Sequence, residues 1–491
     1  MNLLAVRATL QVRGRVPDGD SDLPDASLPT EQDVVRKFYS GEPDAAWLTP
    51  TDISPASLAS VAGAALGTYE VPTIKLEALG SCNAIYLLHY ASSRRTVSAR
   101  IPLRDRRHVV RVEPAIATMS YARHVLRMGD VVPEVFAWDA SSDNPLGAPY
   151  TLQEFAPADC IEGWQALVTI SEANPKLLDD LARWHAALAQ PLAQHLCGVG
   201  ELVFAPGATD PSDVASYVLR PLTLRGRYSW DSELPVGTFH AAKTSLCAVW
   251  AQRWSDELES AVTEPLRTFD RADAEELQEL GVTPEAFTRA AKAVQALAHR
   301  ALEVLAQCPS HAQPTLVNLD YALRNVLVDP QTLKVRALID WDDVYVLPFA
   351  LSAEFPSDLK EKTRCWASTS NSRAASDWLR DGAFDEFPLS LYGEMSEIEP
   401  GTPGAMEAGS RNGLIIETAE RDTYLAALRA CDTRFDFADP SLARTRRHVL
   451  KAHHLLMHGA PVWWGHREWL DTVVTDSTRR DASSRLCSGS K

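Results

Sequence analysis

The chain has 491 residues, is 45% hydrophobic and carries a formal net charge of −17. Its length and apolar content suffice for two lobes with large cores, while the acidic balance argues against a nucleic-acid partner, whose footprint is basic. No apolar stretch reaches the length of a membrane span, and eight cysteines without a C-x-x-C pair read as reduced thiols, so a cytoplasmic location is expected.

In chain order, residues 1–35 are rich in Asp, Pro and Ser and are expected to be flexible. Arg7, Arg13 and Arg15 precede the first acid, Asp18, which leaves mitochondrial import as the minor alternative. Val34 to Tyr39 and Ser57 to Leu66 read as short helices that open a small lobe over residues 36–155. A larger, mostly helical lobe follows over 156–476. Leu177, Leu178, Leu181, Trp184 and Leu188 recur at helical spacing within Lys176–Gln190, and further helices are expected over Thr244–Val262 and Pro284–Leu305. Residues 384–412 have the composition of a loop or insertion; Arg421–Arg429 and Ser441–His458 resume the helical pattern, and the chain from Ser477 reads as a frayed tail.

The segment from Thr315 to Asp343 carries the chemistry. Asp320 and Asn325 stand in the pattern D-x-x-x-x-N, and Asp340 follows 15 positions after Asn325. Val326–Val328 and Val335–Ile339 are apolar runs separated by the turn sequence Asp329-Pro330-Gln331-Thr332. Such a hairpin places Asn325 before its first strand and Asp340 after its second, so that both face one point. In kinase-type phosphoryl transfer, an Asp orients the attacking hydroxyl while an Asn and a second Asp hold Mg²⁺. An ordinary hairpin with solvated Asp and Asn at its ends is the bland alternative.

With this motif the chain resembles the aminoglycoside phosphotransferase and choline kinase family, especially its fungal branch. The family signature is an H-G-D loop, then N-[IV]-L-V-D, then I-D-W-[DE]; here Asn318 and Leu319 replace the His and Gly. The resemblance implies an α+β, protein-kinase-like bilobal fold, with a β-rich N-lobe and a mostly helical C-lobe. It also implies ATP and Mg²⁺ as cofactors, Asp320 as catalytic residue, and Asn325 and Asp340 as metal ligands.

Upstream, Leu79 to Tyr86 is similar to the family's phosphate-covering hairpin and contributes Gly80 and Asn83 to nucleotide binding. Arg100, within Thr96–Pro102, stands where the family carries a phosphate-pairing Lys, and Arg is itself a competent phosphate ligand. The acid expected to pair with that cation falls at Ala115, leaving Glu113 as the nearest substitute. The lobe hinge is expected at Gln153, Glu154 and Ala156. Asp342 and Asp343 are either contacts for a cationic substrate or capping and solvated carboxylates. Arg104, Arg106, Arg107 and Arg111 read as a solvated basic face, His453, His454 and His458 as ordinary helix residues, and Trp463, Trp464 and Trp469 as packing.

The function implied is phosphorylation of a hydroxyl on a small, neutral or cationic molecule. A nucleotide-binding pseudokinase or protein-interaction scaffold without turnover is the alternative favoured by Asn318, Leu319, Arg100 and Ala115.

Overall fold

The structure, a computed structural model, describes residues 53–353 and 418–470, except 81, 105–106, 108–109, 157–159, 164–165, 167–172, 225–238, 242–243, 270, 272, 437 and 468–469. The expectations for the N-terminal 35 residues, the helix at Val34–Tyr39, the 384–412 insertion and the C-terminal tail lie outside the described residues, as do Arg106 and Trp469.

Helix α1 (Pro55–Leu66) opens the first lobe. Ser54 caps it by accepting from the Ser57 N–H, Pro55 fits the first helical position, and Gly67 ends it in the left-handed region (φ 65°). Its buried face of Leu58, Val61, Ala62 and Ala65 belongs to the same core as the sheet behind it.

That sheet is built from β1 (Thr73–Leu79), β2 (Asn83–Tyr90), β3 (Arg95–Pro102), β4 (Val135–Asp139) and β5 (Tyr150–Glu154), in the order β1-β2-β3-β5-β4. Alternation decides which side chains enter the core: Ala84, Tyr86, Leu88 and Tyr90 are buried along β2, and Val97, Ala99 and Ile101 along β3. Arg100, in antiphase with the β3 core residues, faces the cleft opposite Ile85 on one side and Thr151 on the other. Helix α2 (Val112–His124) connects β3 to β4 and is buried over most of its length.

The second lobe begins with β6 (Ile161–Glu162) and α3 (Ala173–Leu188). Strands β7 (Glu201–Phe204) and β8 (Tyr217–Arg220) form one antiparallel pair, and the short β9 (Thr223–Leu224) and β10 (Phe239–His240) another. Helices α4 (Leu246–Thr263) and α5 (Pro284–Ala306) precede β11 (Pro314–Asn318), β12 (Val326–Val328), β13 (Val335–Leu338) and β14 (Val344–Pro348). Helices α6 (Phe349–Ser352), α7 (Thr418–Cys431) and α8 (Pro440–His458) complete the frame. Each helix expected within the described residues is present with ends shifted by a few positions. Trp463 is fully buried and donates to the Leu455 carbonyl at 2.6 Å, a packing role.

A five-stranded antiparallel sheet joined to a mainly helical lobe is the α+β, protein-kinase-like arrangement. The cleft between the lobes is where β3 meets the segment from β11 to β14.

Candidate active site

The loop after β11 is held by one side-chain and one backbone hydrogen bond. Asn318 Oδ1 accepts from the Asp320 N–H at 2.9 Å, closing an Asx turn, and the Leu319 N–H donates to the Asp343 carbonyl at 2.9 Å. The side chain at the position of the family's His thus braces the loop through its carbonyl oxygen. Leu319, where a Gly was expected, turns its side chain outward and is 40% exposed.

Asp320 and Asn325 meet as their spacing predicts. Asn325 Nδ2 donates to Asp320 Oδ2 at 2.8 Å and to the Asp320 carbonyl at 2.9 Å. Arg324, four residues along the loop, is ion-paired with Asp320 Oδ1. Burial pushes the Asp320 carboxyl above the usual carboxylate range; Arg324 and Asn325 pull it back, and Asp340 and Asp343 reinforce the rise.

The expected hairpin forms, with Val326 opposite Leu338 and Val328 opposite Val335. Asp329 Oδ1 caps its turn by accepting from the Gln331 and Thr332 N–H groups at 2.8 and 3.0 Å. The Ile339 N–H donates to the Asn325 carbonyl at 2.9 Å, which brings Asp340 beside Asn325. Asp340 itself is left-handed (φ 58°, ψ 67°), a conformation Asp tolerates better than most residues, and it starts a single 3₁₀ turn, Trp341–Asp343. Buried Trp341 pins that turn by donating from Nε1 to the Leu338 carbonyl at 2.8 Å.

Arg100 reaches this turn from the other lobe. Its Nη1 and Nη2 fork onto Asp342 Oδ1 and Oδ2 at 2.7 and 3.0 Å, and Nη2 also meets Asp340 Oδ1 at 2.7 Å. Asn83, oriented by these neighbours, accepts through Oδ1 from Arg100 Nε at 3.2 Å and Nη2 at 2.8 Å. Asp342 is not a solvated carboxylate: its side chain is 2% exposed and is paired with Arg100. Asp343 accepts from Tyr345 Oη at 3.2 Å and stays half-buried on the same turn.

The substitute role expected of Glu113 is not realised. It lies in the first turn of α2, and its ion-pair partner is Arg220, 3.7 Å away, because two positions along a helix turn a side chain to another face. Ala115 is buried and lines a cavity of about 10 Å³ with Asn83, Arg100, Met119, Gln153 and Asp342.

Arg111 departs further from its expected solvated face. It is buried, ion-paired with fully buried Glu201, and donates to the Asp342 carbonyl and to Tyr345 Oη, the latter at 2.6 Å. Burial disfavours its charge, but Tyr345, Glu201 and Asp343 outweigh that and raise its pKa. Glu201 also accepts from Arg220 Nη2 at 2.9 Å and from the Thr223 N–H at 3.1 Å. Sequence reading missed this network, since nothing in the spacing of Arg111, Glu201 and Arg220 links them. Sequence reading also passed over Arg324, whose ion pair with Asp320 forms within the loop.

The remaining expected nucleotide residues are spread around the cleft. Gly80 donates its N–H to the Asn83 carbonyl at 2.8 Å and shapes the β1–β2 loop, where neighbouring Cys82 is buried. At the hinge, Gln153 and Glu154 are sheet residues: the Gln153 carbonyl accepts from Ser98 Oγ at 3.3 Å, and the Glu154 N–H donates to Glu134 at 2.7 Å. Phe155 and Ala156 are the first residues beyond the strand.

The donor chemistry fits Mg²⁺. Asn325 spends its Nδ2 on Asp320, leaving its amide oxygen, and Asp340 offers a carboxylate; both are hard oxygen donors. Among the described residues no group of three His, Cys, Asp or Glu side chains is placed to hold a metal. A site with two protein ligands suits an ion that keeps waters and takes phosphate oxygens. No described helix is long and apolar enough to cross a membrane.

A model of the phosphotransferase enzyme family matches residues 78–351, more than half of the chain. A subtelomeric hrmA-associated cluster protein of Aspergillus fumigatus is 26% identical over 320 residues, covering 58% of this chain and 60% of that protein. The match thus spans less than two thirds of that relative. Altered inheritance of mitochondria protein 9 of Saccharomyces cerevisiae is 31% identical over 74 residues, 15% of this chain and 12% of its own length. Among solved structures, aminoglycoside phosphotransferase APH(4)-Ia gives a TM-score of 0.37 at 12% identity, covering 86% of this chain and 99% of its own. A Plasmodium vivax ethanolamine kinase gives 0.36 at 10% identity, covering 94% and 97%. Scores of this size carry no weight of their own, and the family rests on the matched model.

Proposed function

The chain belongs to the phosphotransferase enzyme family, and from that premise we propose that it transfers the γ-phosphoryl group of ATP to a hydroxyl of a small molecule. The observation that carries this reading is the junction of Asp320, Asn325 and Asp340. Asn325 donates its amide to Asp320 and, through its carbonyl and the Ile339 N–H, is locked beside Asp340. Asp320 is the residue that accepts or orients the acceptor's hydroxyl proton. Asn325 and Asp340 are the residues that would hold Mg²⁺, which supplies neutralising charge for the phosphate oxygens. Arg100 is the phosphate-facing cation. The net charge of −17 favours a neutral or cationic acceptor over an anionic one. We place the reaction in the cytoplasm.

Thermal melting with ATP plus Mg²⁺, ATP plus EDTA, and Mg²⁺ alone tests the reading. A ligand that binds only the folded state stabilises it by about 2.7 kcal/mol at a hundredfold excess over Kd. The expected result is a shift that needs both ATP and Mg²⁺, followed by ADP release in the presence of a hydroxylated acceptor. No shift at millimolar ATP sinks the proposal. One observation favours a second reading, a pseudokinase: Arg100 already occupies Asp340 Oδ1. A Mg²⁺-dependent shift with no phosphate transfer across a broad acceptor panel would select it.

A further inference from the structure

Resting on the nucleotide reading above, we propose that Asp342 is a positioning residue that anchors Arg100 at the cleft while the contact between Arg100 and Asp340 is exchanged for nucleotide phosphate. A long arginine side chain spanning two lobes needs fixed partners, because ordering its rotamers is costly. The groups that hold this one include Asn83 on its own sheet, and Asp340 and Asp342 on the turn after β13.

The two carboxylates differ in the property that matters. Asp340 is 41% exposed on its side chain and can change partner at little cost, whereas Asp342 is 2% exposed and bound through both oxygens. Unpairing a buried carboxylate is expensive, so the fork to Asp342 stays closed while the Asp340 contact opens. Arg111 fixes the same residue from behind through the Asp342 carbonyl, so the anchor does not drift when Arg100 turns. On the opposite wall, Ala115 supplies no charge to the cavity that it shares with Arg100 and Asp342. Asp342 is thus the buried acid that orients the β3 cation.

The test combines two measurements on the full chain. Urea unfolding without nucleotide and equilibrium binding of a fluorescent ATP analogue with Mg²⁺ are compared for wild type, Asp342→Asn, Arg100→Lys and the double variant. Asp342→Asn keeps volume and is expected to weaken nucleotide binding about tenfold or more, the scale of one charge-assisted hydrogen bond. Because Asp342 acts through Arg100, the double variant should bind no more weakly than Arg100→Lys alone. A merely structural Asp342 would give additive losses or none in binding.

A relocation variant, Asp342→Ala with Ala115→Glu, puts a carboxylate back into the same cavity from the helix side. It is expected to regain nucleotide affinity relative to Asp342→Ala. Additive binding losses, or unchanged binding in Asp342→Asn, overturn the proposal, as does a folded relocation variant that regains nothing. Wild type that binds no nucleotide yet shows unfolding coupling between the two residues sinks the nucleotide reading itself and reduces the pair to a structural bridge.

Discussion

Arg100 Nη2 and Asp340 Oδ1 stand 2.7 Å apart, so the cation of one lobe and the metal-ligand candidate of the other are joined across the cleft. A metal bound at Asp340 and Arg100 therefore compete for one carboxylate. Asp340→Asn removes the charge while keeping a residue that tolerates the left-handed backbone. The pair is well exposed on the Asp340 side, so unliganded stability should change by less than about 1 kcal/mol. The Mg²⁺-dependent nucleotide shift should vanish. A variant that keeps the shift would move the metal away from Asp340.

Asp320→Asn should cost about 10²–10⁴-fold in turnover if Asp320 is the positioned base. Its effect on stability runs the other way with pH. Because burial raises the folded pKa above the ordinary 3.8, the folded protein binds this proton more tightly than the unfolded chain does. Stability from this group is therefore greatest below 3.8 and falls as pH rises through the interval up to the raised pKa. Urea unfolding should show Asp320→Asn gaining on wild type between acid and neutral pH. The activity of the wild type should rise with pH on a limb above the usual carboxylate range.

Asn318 offers a separate test of the loop. Asn318→Ala deletes the acceptor for the Asp320 N–H, a loss of about 0.5–1.5 kcal/mol, and lets the loop carrying Asp320 move. Asn318→Asp keeps the oxygen and the Asx turn. Turnover should fall in the first variant and be largely retained in the second, with nucleotide affinity little changed in both. Equal losses in the two would mean that the loop is braced elsewhere.

The sequence made the local parts of this site legible and left the tertiary parts dark. Asp320, Asn325 and Asp340 were readable because a five-residue loop and a short hairpin fix their geometry with few degrees of freedom. The strand position of Arg100 followed from the resemblance of Thr96–Pro102 to the family's phosphate-pairing strand. Its partner did not, since Asp342 lies 242 positions away and nothing local distinguishes it from its neighbour Asp343. Arg111 looked solvated in a run of arginines because its buried partner, Glu201, comes from a different lobe. Apolar alternation did not reveal that the strand ends at Glu154, within the segment Gln153–Ala156 read as the hinge.

Gly200 leaves no room for a side chain. A Cβ there would sit 2.1 Å from the Arg220 carbonyl oxygen, a backbone atom that no rotamer change moves away. Gly200 also exchanges hydrogen bonds with Val346, at 3.0 and 2.9 Å, so it is clamped between β8 and β14. Gly200→Ala must therefore displace the start of β7, where Glu201 pairs with Arg220 in the strand register. Overpacking of this kind costs about 1–3 kcal/mol or more. The displacement also pulls Glu201 from Arg111, which holds the Asp342 carbonyl at the far end of the same network. Urea unfolding should show the stability loss, and nucleotide binding should weaken at urea concentrations where the protein is still folded. Glu201→Gln supplies the control: it leaves the backbone in place and unpairs the enclosed Arg111, whose side chain is 9% exposed, at about 3–5 kcal/mol. If Gly200→Ala destabilised the fold without weakening nucleotide binding, and Glu201→Gln did the same, the buried network would be holding the lobe together without orienting the cleft.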